Sequence, residues 1–167
     1  MRALSVRQPW AWAVARGHQD VLSLATNTGY RGPVAIYGSL RADQGSCDGP
    51  RAPVADWDSA DPAASAGGII AVVSLVDVCA AAASGRPCRC GEWASAGRYH
   101  WRVGQPQPLK WPVMALSHPG LWELTPVVAA GVARLLPAGG GQLPRGAPRK
   151  PPARQRRRAV HPLRRPN

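Results

Sequence analysis

The chain has no phenylalanine, and only two of its 21 basic residues, Lys110 and Lys150, are lysines. With 18 Gly and 18 Pro, this mix follows the base composition of GC-rich coding sequence, so abundant arginine is not in itself a functional signal. No apolar run is long enough for a membrane span: the longest, residues 67–83, carries Asp77 and falls short of the roughly 20 residues required. No secretory leader is evident either, because Arg7, Gln8 and Pro9 interrupt the start of the chain. A soluble cytoplasmic protein is expected, and Cys47, Cys79, Cys88 and Cys90 are then free thiols, not a disulfide framework.

Acidic residues are missing from one region altogether. From Pro137 onward there are nine basic residues and no acid, leaving twelve basic residues against all nine acids in residues 1–136, a net of +3. The body is mildly basic and the tail strongly so, and only the tail carries the charge footprint that nucleic-acid binding needs. Pro, Gly and Arg dominate residues 137–167, which have too little apolar surface to offset ordering entropy and are expected to be disordered.

At 167 residues and 17.7 kDa, with 45% hydrophobic residues, the remainder suits one domain with a single core. Leu4-Ser5-Val6 reads as a strand. Pro9 fits the first position of a helix that places Trp10, Ala13 and Val14 on one face and stops at Gly17. Pro33–Ser39 alternates, with Val34 and Ile36 on one face and Ala35 and Tyr37 on the other. Residues 40–66 read as a surface excursion in which Asp56, Asp58 and Asp61 are solvated acids, lacking the Gly and distal Glu of a calcium loop. Residues 67–78 are the strongest buried strand, and 80–97 a loop. In residues 98–103, Tyr99, Trp101 and Val103 share one face and Arg98, His100 and Arg102 the other. Pro106 and Pro108 then interrupt, residues 109–113 pair at an edge, and 120–124 form a last strand. A short helix follows over 127–136, started by Pro126, with Val127, Val128, Val132, Leu135 and Leu136 apolar.

The runs LSVRQPWAWAVARG and YRGPVAIYGS resemble the opening of an ASCH domain, a PUA-like β-barrel family linked to RNA. GGIIAVVSLVDV, GRYHWRV and GLWEL are similar to that family's later strands, in the right order, so the resemblance spans residues 2–126. It implies an α+β fold: a small PUA-like mixed β-barrel with short helices, here over 1–126, then the short helix and the disordered tail. It also implies RNA, or a nucleotide-like small molecule, as the partner.

In active ASCH-type proteins the segment after the first helix runs Gly-x-Lys-x-x-Glu-x-Arg, and its polar side chains line a cleft. Gly17 matches, but Gln19 stands at the lysine position, Leu22 at the glutamate and Leu24 at the arginine, with Thr26 where a tryptophan often follows. Gln19 has no titratable group and serves as neither base nor nucleophile. The loop that faces the same cleft in relatives is here Ala115-Leu116-Ser117-His118-Pro119, with His118 its one ionisable side chain. No catalytic residue is therefore assigned. The leading expectation is a non-catalytic RNA- or nucleotide-binding protein whose basic tail adds non-specific affinity. The alternative is an ASCH-type hydrolase, cleaving RNA or the amide of acylated cytidine, with a rearranged site.

Candidate ligand residues are Gln8, Trp10, Gln19, Tyr30, Arg31, Tyr99 and His118: aromatic faces stack on unpaired bases, and Arg31 suits a phosphate. Arg154, Arg156, Arg157, Arg158, Arg164 and Arg165 are the candidate tail contacts. Trp101 and Trp122 read as core. Cys88-Arg89-Cys90 with His100 lacks the usual two-residue spacer and an evident fourth ligand, so neither metal nor cofactor is assigned.

Overall fold

The computed structural model describes residues 1–42, 58, 60–64 and 67–137. The chain runs β1 (Arg2–Gln8), α1 (Trp10–Ala15), β2 (Val21–Leu24), β3 (Gly32–Ala42), β4 (Gly68–Cys79), β5 (Tyr99–Met114), β6 (Leu121–Glu123) and α2 (Pro126–Leu135). The strands form one mixed sheet in the order β2-β5-β4-β3-β1-β6, curled into a half-barrel. β1 and β3 are parallel, which α1 and β2 make possible as a crossover, and the other pairings are antiparallel. The fold is α+β, as expected. The barrel is not closed: among the described residues no ladder joins β2 to β6.

The alternation in β3 sets up two cores. Val34 and Ile36 join Leu4, Val14, Leu75 and Trp101 under α1. Ala35 and Tyr37 join Ala3, Ile69, Val72 and Leu109 on the opposite face, where α2 contributes Val132. A strand with both faces covered favours apolar side chains, and the first eight residues of β4 are all buried, Ser74 being the one polar side chain among them. Gly17 closes α1 at φ +79°, and the N–H of His18 reaches back to the Ala13 carbonyl at 2.8 Å. Pro9 stands one place earlier than the sequence suggested, as the N-cap of α1. Thr125 caps α2, its hydroxyl accepting from the Val128 N–H at 3.4 Å. Val127, assigned to the apolar face of α2, is exposed.

Pro106 and Pro108 do not end a strand. β5 runs 16 residues, with bulges where its register to β4 shifts. One bulge lies between Gly104, opposite Ser74, and Gln107, opposite Val72; it holds Pro106 and Gln105, whose φ is +51°. An unpaired bulge residue needs no ladder N–H, which accommodates a proline inside a paired strand. Residues 109–113 do lie at the outer part of the sheet, paired with β4 alone.

Asp61 is not a solvated acid. Its carboxylate takes the Trp12 indole N–H at 2.8 Å and the Arg16 Nε–H at 3.0 Å, with Arg16 Nη2 also in contact. Buried Ala63 and Ala64 follow it against the first core, while Asp56 lies outside the described residues. Burial pushes the Asp61 carboxyl up, but hydrogen bonds from the Ala63 N–H, Trp12 and Arg16, with the Arg16 charge, outweigh it and hold the carboxyl below its usual range. A depressed folded-state value stabilises the fold above the ordinary aspartate range, and that stability is lost as pH falls through the folded value. Asp61→Asn is expected to cost about 1.5–3 kcal/mol at neutral pH, the range for hydrogen bonds to a charged group. In urea melts below pH 4 the variant and the wild type should converge; an unchanged gap across that range would rule out this linkage.

Candidate functional site

β2 occupies the place where the ASCH signature would put charge. Leu22 and Leu24 pair with Trp101 and Tyr99 across the β2–β5 ladder, Leu22 buried and Leu24 partly so, both against the first core. Gln19 precedes them, 7% exposed, its Nε2 donating to the Val21 carbonyl at 2.8 Å. Its Oε1 is buried with no hydrogen-bond partner among the described residues. Leu22 and Leu24 thus form an apolar packing surface with one neutral amide, Gln19, at its end.

Most of the other candidates are committed within the chain. Gln8 is buried and acts as a brace, donating from Nε2 to the Ala63 carbonyl at 2.7 Å and accepting from the Trp12 N–H at 3.1 Å. The Tyr30 hydroxyl donates to the Pro33 carbonyl at 2.7 Å, and the Arg2 guanidinium lies 4.8 Å from the ring centroid. Burial raises the Tyr30 phenol; the Arg2 charge opposes this and Glu123 adds to it. Arg31 donates to the carbonyls of Thr28 and Tyr30 and pairs with Asp77 at 3.2 Å, so its guanidinium is already engaged. Trp10 meets Trp93 edge-on at 5.9 Å between centroids. Trp10, Tyr30 and Tyr99 all border the first core, whereas His118 is exposed and rests 5.1 Å from Trp122 beside the second. Those three aromatics border the same core, and His118 lies against the other. Trp101 is core, 2% exposed, and Trp122 is half-buried, its indole donating to the Ser5 hydroxyl at 3.1 Å. The six tail arginines lie outside the described residues.

Two features escaped the sequence reading, and a third was read only in part. An open groove of about 480 Å³ is lined by Arg16, Lys110 and Arg134 with Leu109, Leu135 and Pro137. Among the described residues Lys110 and Arg134 have no acidic partner, whereas Arg16 is paired with Asp61. Pro137 is the last described residue, so the groove includes the residue from which the basic tail continues in sequence. Trp111, next to Lys110 in β5, is 55% exposed. No local pattern separates these residues from ordinary surface ones; only the docking of α2 on β5 assembles them.

The third feature is a cluster of thiols. The side-chain donor atoms of Cys79, Cys88, Cys90 and His100 lie within 4.8 Å of one another. The alternation placed His100 with Arg98 and Arg102 on a polar face, yet His100 is 1% exposed. Cys79 is the fourth donor that the sequence reading lacked, brought opposite His100 by the β4–β5 register. Burial, then hydrogen bonds with Cys79 and Cys88, push the Cys90 thiol up to about 12.

No protein-family profile matches the chain, and no curated protein matches it. The chain folds as an α+β half-barrel with a basic groove where α2 meets β5 and a thiol–imidazole cluster where the β4–β5 loop meets those strands. No helix among the described residues is long and apolar enough to cross a membrane.

Proposed function

We propose that this chain is a non-catalytic RNA- or nucleotide-binding protein built on an ASCH-like, PUA-like barrel, with its basic tail adding sequence-independent affinity. The observation that carries this reading is the cationic groove at the root of a tail with nine basic residues and no acid. A polyanion lying in that groove meets Lys110 and Arg134, and the chain that follows the groove in sequence carries no acid. Trp111, which follows Lys110 in β5, supports the same reading, because an exposed indole is a platform for an unpaired base. Catalysis has no support at the family position, where Gln19 has no titratable group to act as acid or base and Leu22 and Leu24 fill the wall. A cytoplasmic setting belongs to this reading, since Cys79, Cys88 and Cys90 are unpaired thiols of the kind a reducing compartment maintains.

The test is the double substitution Lys110→Gln, Arg134→Gln in the full chain. Both side chains are exposed, so the fold should be unaffected. Affinity for a single-stranded RNA should fall, and the log–log salt slope should become shallower by about 1.4, at about 0.7 per lost phosphate contact. Unchanged affinity and slope would remove the groove from the binding surface.

A further inference from the structure

The geometry points to a structural zinc site formed by Cys79, Cys88, Cys90 and His100, which ties the loop between β4 and β5 to the sheet. Three thiols and an imidazole are a common donor set of closed, tetrahedral zinc sites. With zinc–sulfur bonds of about 2.3 Å, the donors of such a site stand about 3.8 Å apart. Here all four lie within 4.8 Å of one another, and Cys88 Sγ is already 3.2 Å from His100 Nδ1. Side-chain rotations are enough to complete the tetrahedron. The donors converge on a space for one ion and are too close together to surround a cluster of two or more irons.

The fold supplies the donors from two directions. Cys79 ends β4 and is the cross-strand partner of His100 in β5, so two ligands come from a rigid ladder. Cys88 and Cys90 come from the connecting loop, one residue between them, and both sulfurs reach the cluster. Gly91 follows at φ +87°, a conformation that a side chain would disfavour, and turns the loop away.

The histidine is oriented as a ligand. Its Nε2 sits 2.8 Å from the Ser95 carbonyl oxygen, which only accepts hydrogen bonds, so Nε2 carries the proton. In the neutral ring the lone pair is then on Nδ1, the atom facing the thiols. Donation of the second ring N–H to a backbone carbonyl is the usual support of a metal-bound histidine.

Binding exchanges three thiol protons for one Zn²⁺: the protons leave to solvent, three Zn–S bonds and one Zn–N bond form, and the centre carries one net negative charge. Arg86, Arg89 and Arg98 on the same loop supply positive charge along the chain beside it. Four protein ligands leave no open position for substrate, so the ion serves structure. The loop has need of it. Its regular structure is the 3₁₀ turn Ala82–Ser84, and Arg86, Pro87, Arg89 and Glu92 are exposed. Farther along, the Ser23 hydroxyl donates to the Trp93 carbonyl at 3.0 Å and accepts from the Ser95 N–H at 2.9 Å, which lays the loop over edge strand β2. The same stretch carries Trp93 to Trp10.

Full-length protein expressed with zinc in the medium and purified without chelator should contain one zinc per chain by elemental analysis. Cys88→Ser combined with Cys90→Ser should reduce this to below a tenth, and Cys47→Ser should leave it at one. A second measurement uses wild-type protein, so that misfolding of a variant is not at issue. After zinc removal under reducing conditions, one equivalent of Co²⁺ should give a thiolate-to-cobalt charge-transfer band and the intense visible absorption of a tetrahedral centre, both abolished by one equivalent of Zn²⁺. Zinc retained by the double variant, zinc lost with Cys47→Ser, or an octahedral cobalt spectrum would each overturn the assignment. Wild-type protein that takes up neither metal, or whose cluster cysteines are recovered as a disulfide, would do the same.

Discussion

Replacing Arg154, Arg156, Arg157, Arg158, Arg164 and Arg165 together with glutamine is expected to weaken binding to single-stranded RNA by roughly two orders of magnitude or more at low salt. Each arginine that neutralises a phosphate releases condensed counterion, and for single strands this contributes about −0.7 to the log–log slope of affinity against salt. Six such contacts correspond to a slope near −4, which the variant should lose, keeping the shallower contribution of Lys110 and Arg134 in the groove. The melting transition is expected not to move, since the described residues of both cores all precede position 137. A variant that binds as tightly as the wild type with the same slope would remove the tail from the interface, whatever its charge.

The largest effect on stability is expected from Trp101→Ala. The indole is 2% exposed, lies in the first core opposite Leu22, and donates to the Thr26 carbonyl at 2.9 Å. Truncating a buried tryptophan costs about 3–5 kcal/mol, against a total of about 5–15 kcal/mol for a typical domain. The urea midpoint should fall sharply or the transition should vanish. Trp111→Ala is the matched control: with its ring 55% exposed, the change in stability should stay within about 0.5 kcal/mol. Equal losses from the two substitutions would contradict the burial of Trp101 in the core.

The fold was legible wherever one period dominated. Val34 and Ile36 against Ala35 and Tyr37 separated the two faces of β3 correctly, and the apolar run from Gly68 marked a strand covered on both sides. Gly17 and Pro126 marked helix ends by local geometry alone. β5 was legible only in part, because prolines signal interruption, and the bulge that absorbs Pro106 depends on register with β4. His100 shows the same limit. Its neighbours Arg98 and Arg102 are exposed, and their alternation is sound, but the loop from Cys79 folds back over that one position and buries it.

The candidate site was less legible than the fold. Gln8, Tyr30 and Arg31 have the chemistry of ligand residues and spend it on Ala63, Pro33, Thr28 and Asp77. Sequence identifies a polar group but not whether the chain itself satisfies it. Lys110 and Arg134, by contrast, are unremarkable in sequence and meet only because α2 docks on β5. Cys79 is separated from His100 by 20 intervening residues and becomes its neighbour only through strand pairing.

Binding to nucleic acid is tested most directly by titrating wild-type full-length protein against a fluorescent single-stranded RNA across a salt series. The expected result is saturable binding at low salt, competed by unlabelled RNA, with affinity falling linearly on log–log axes at a slope of about −4 or steeper. No binding at the lowest salt, or an affinity indifferent to salt, would contradict it.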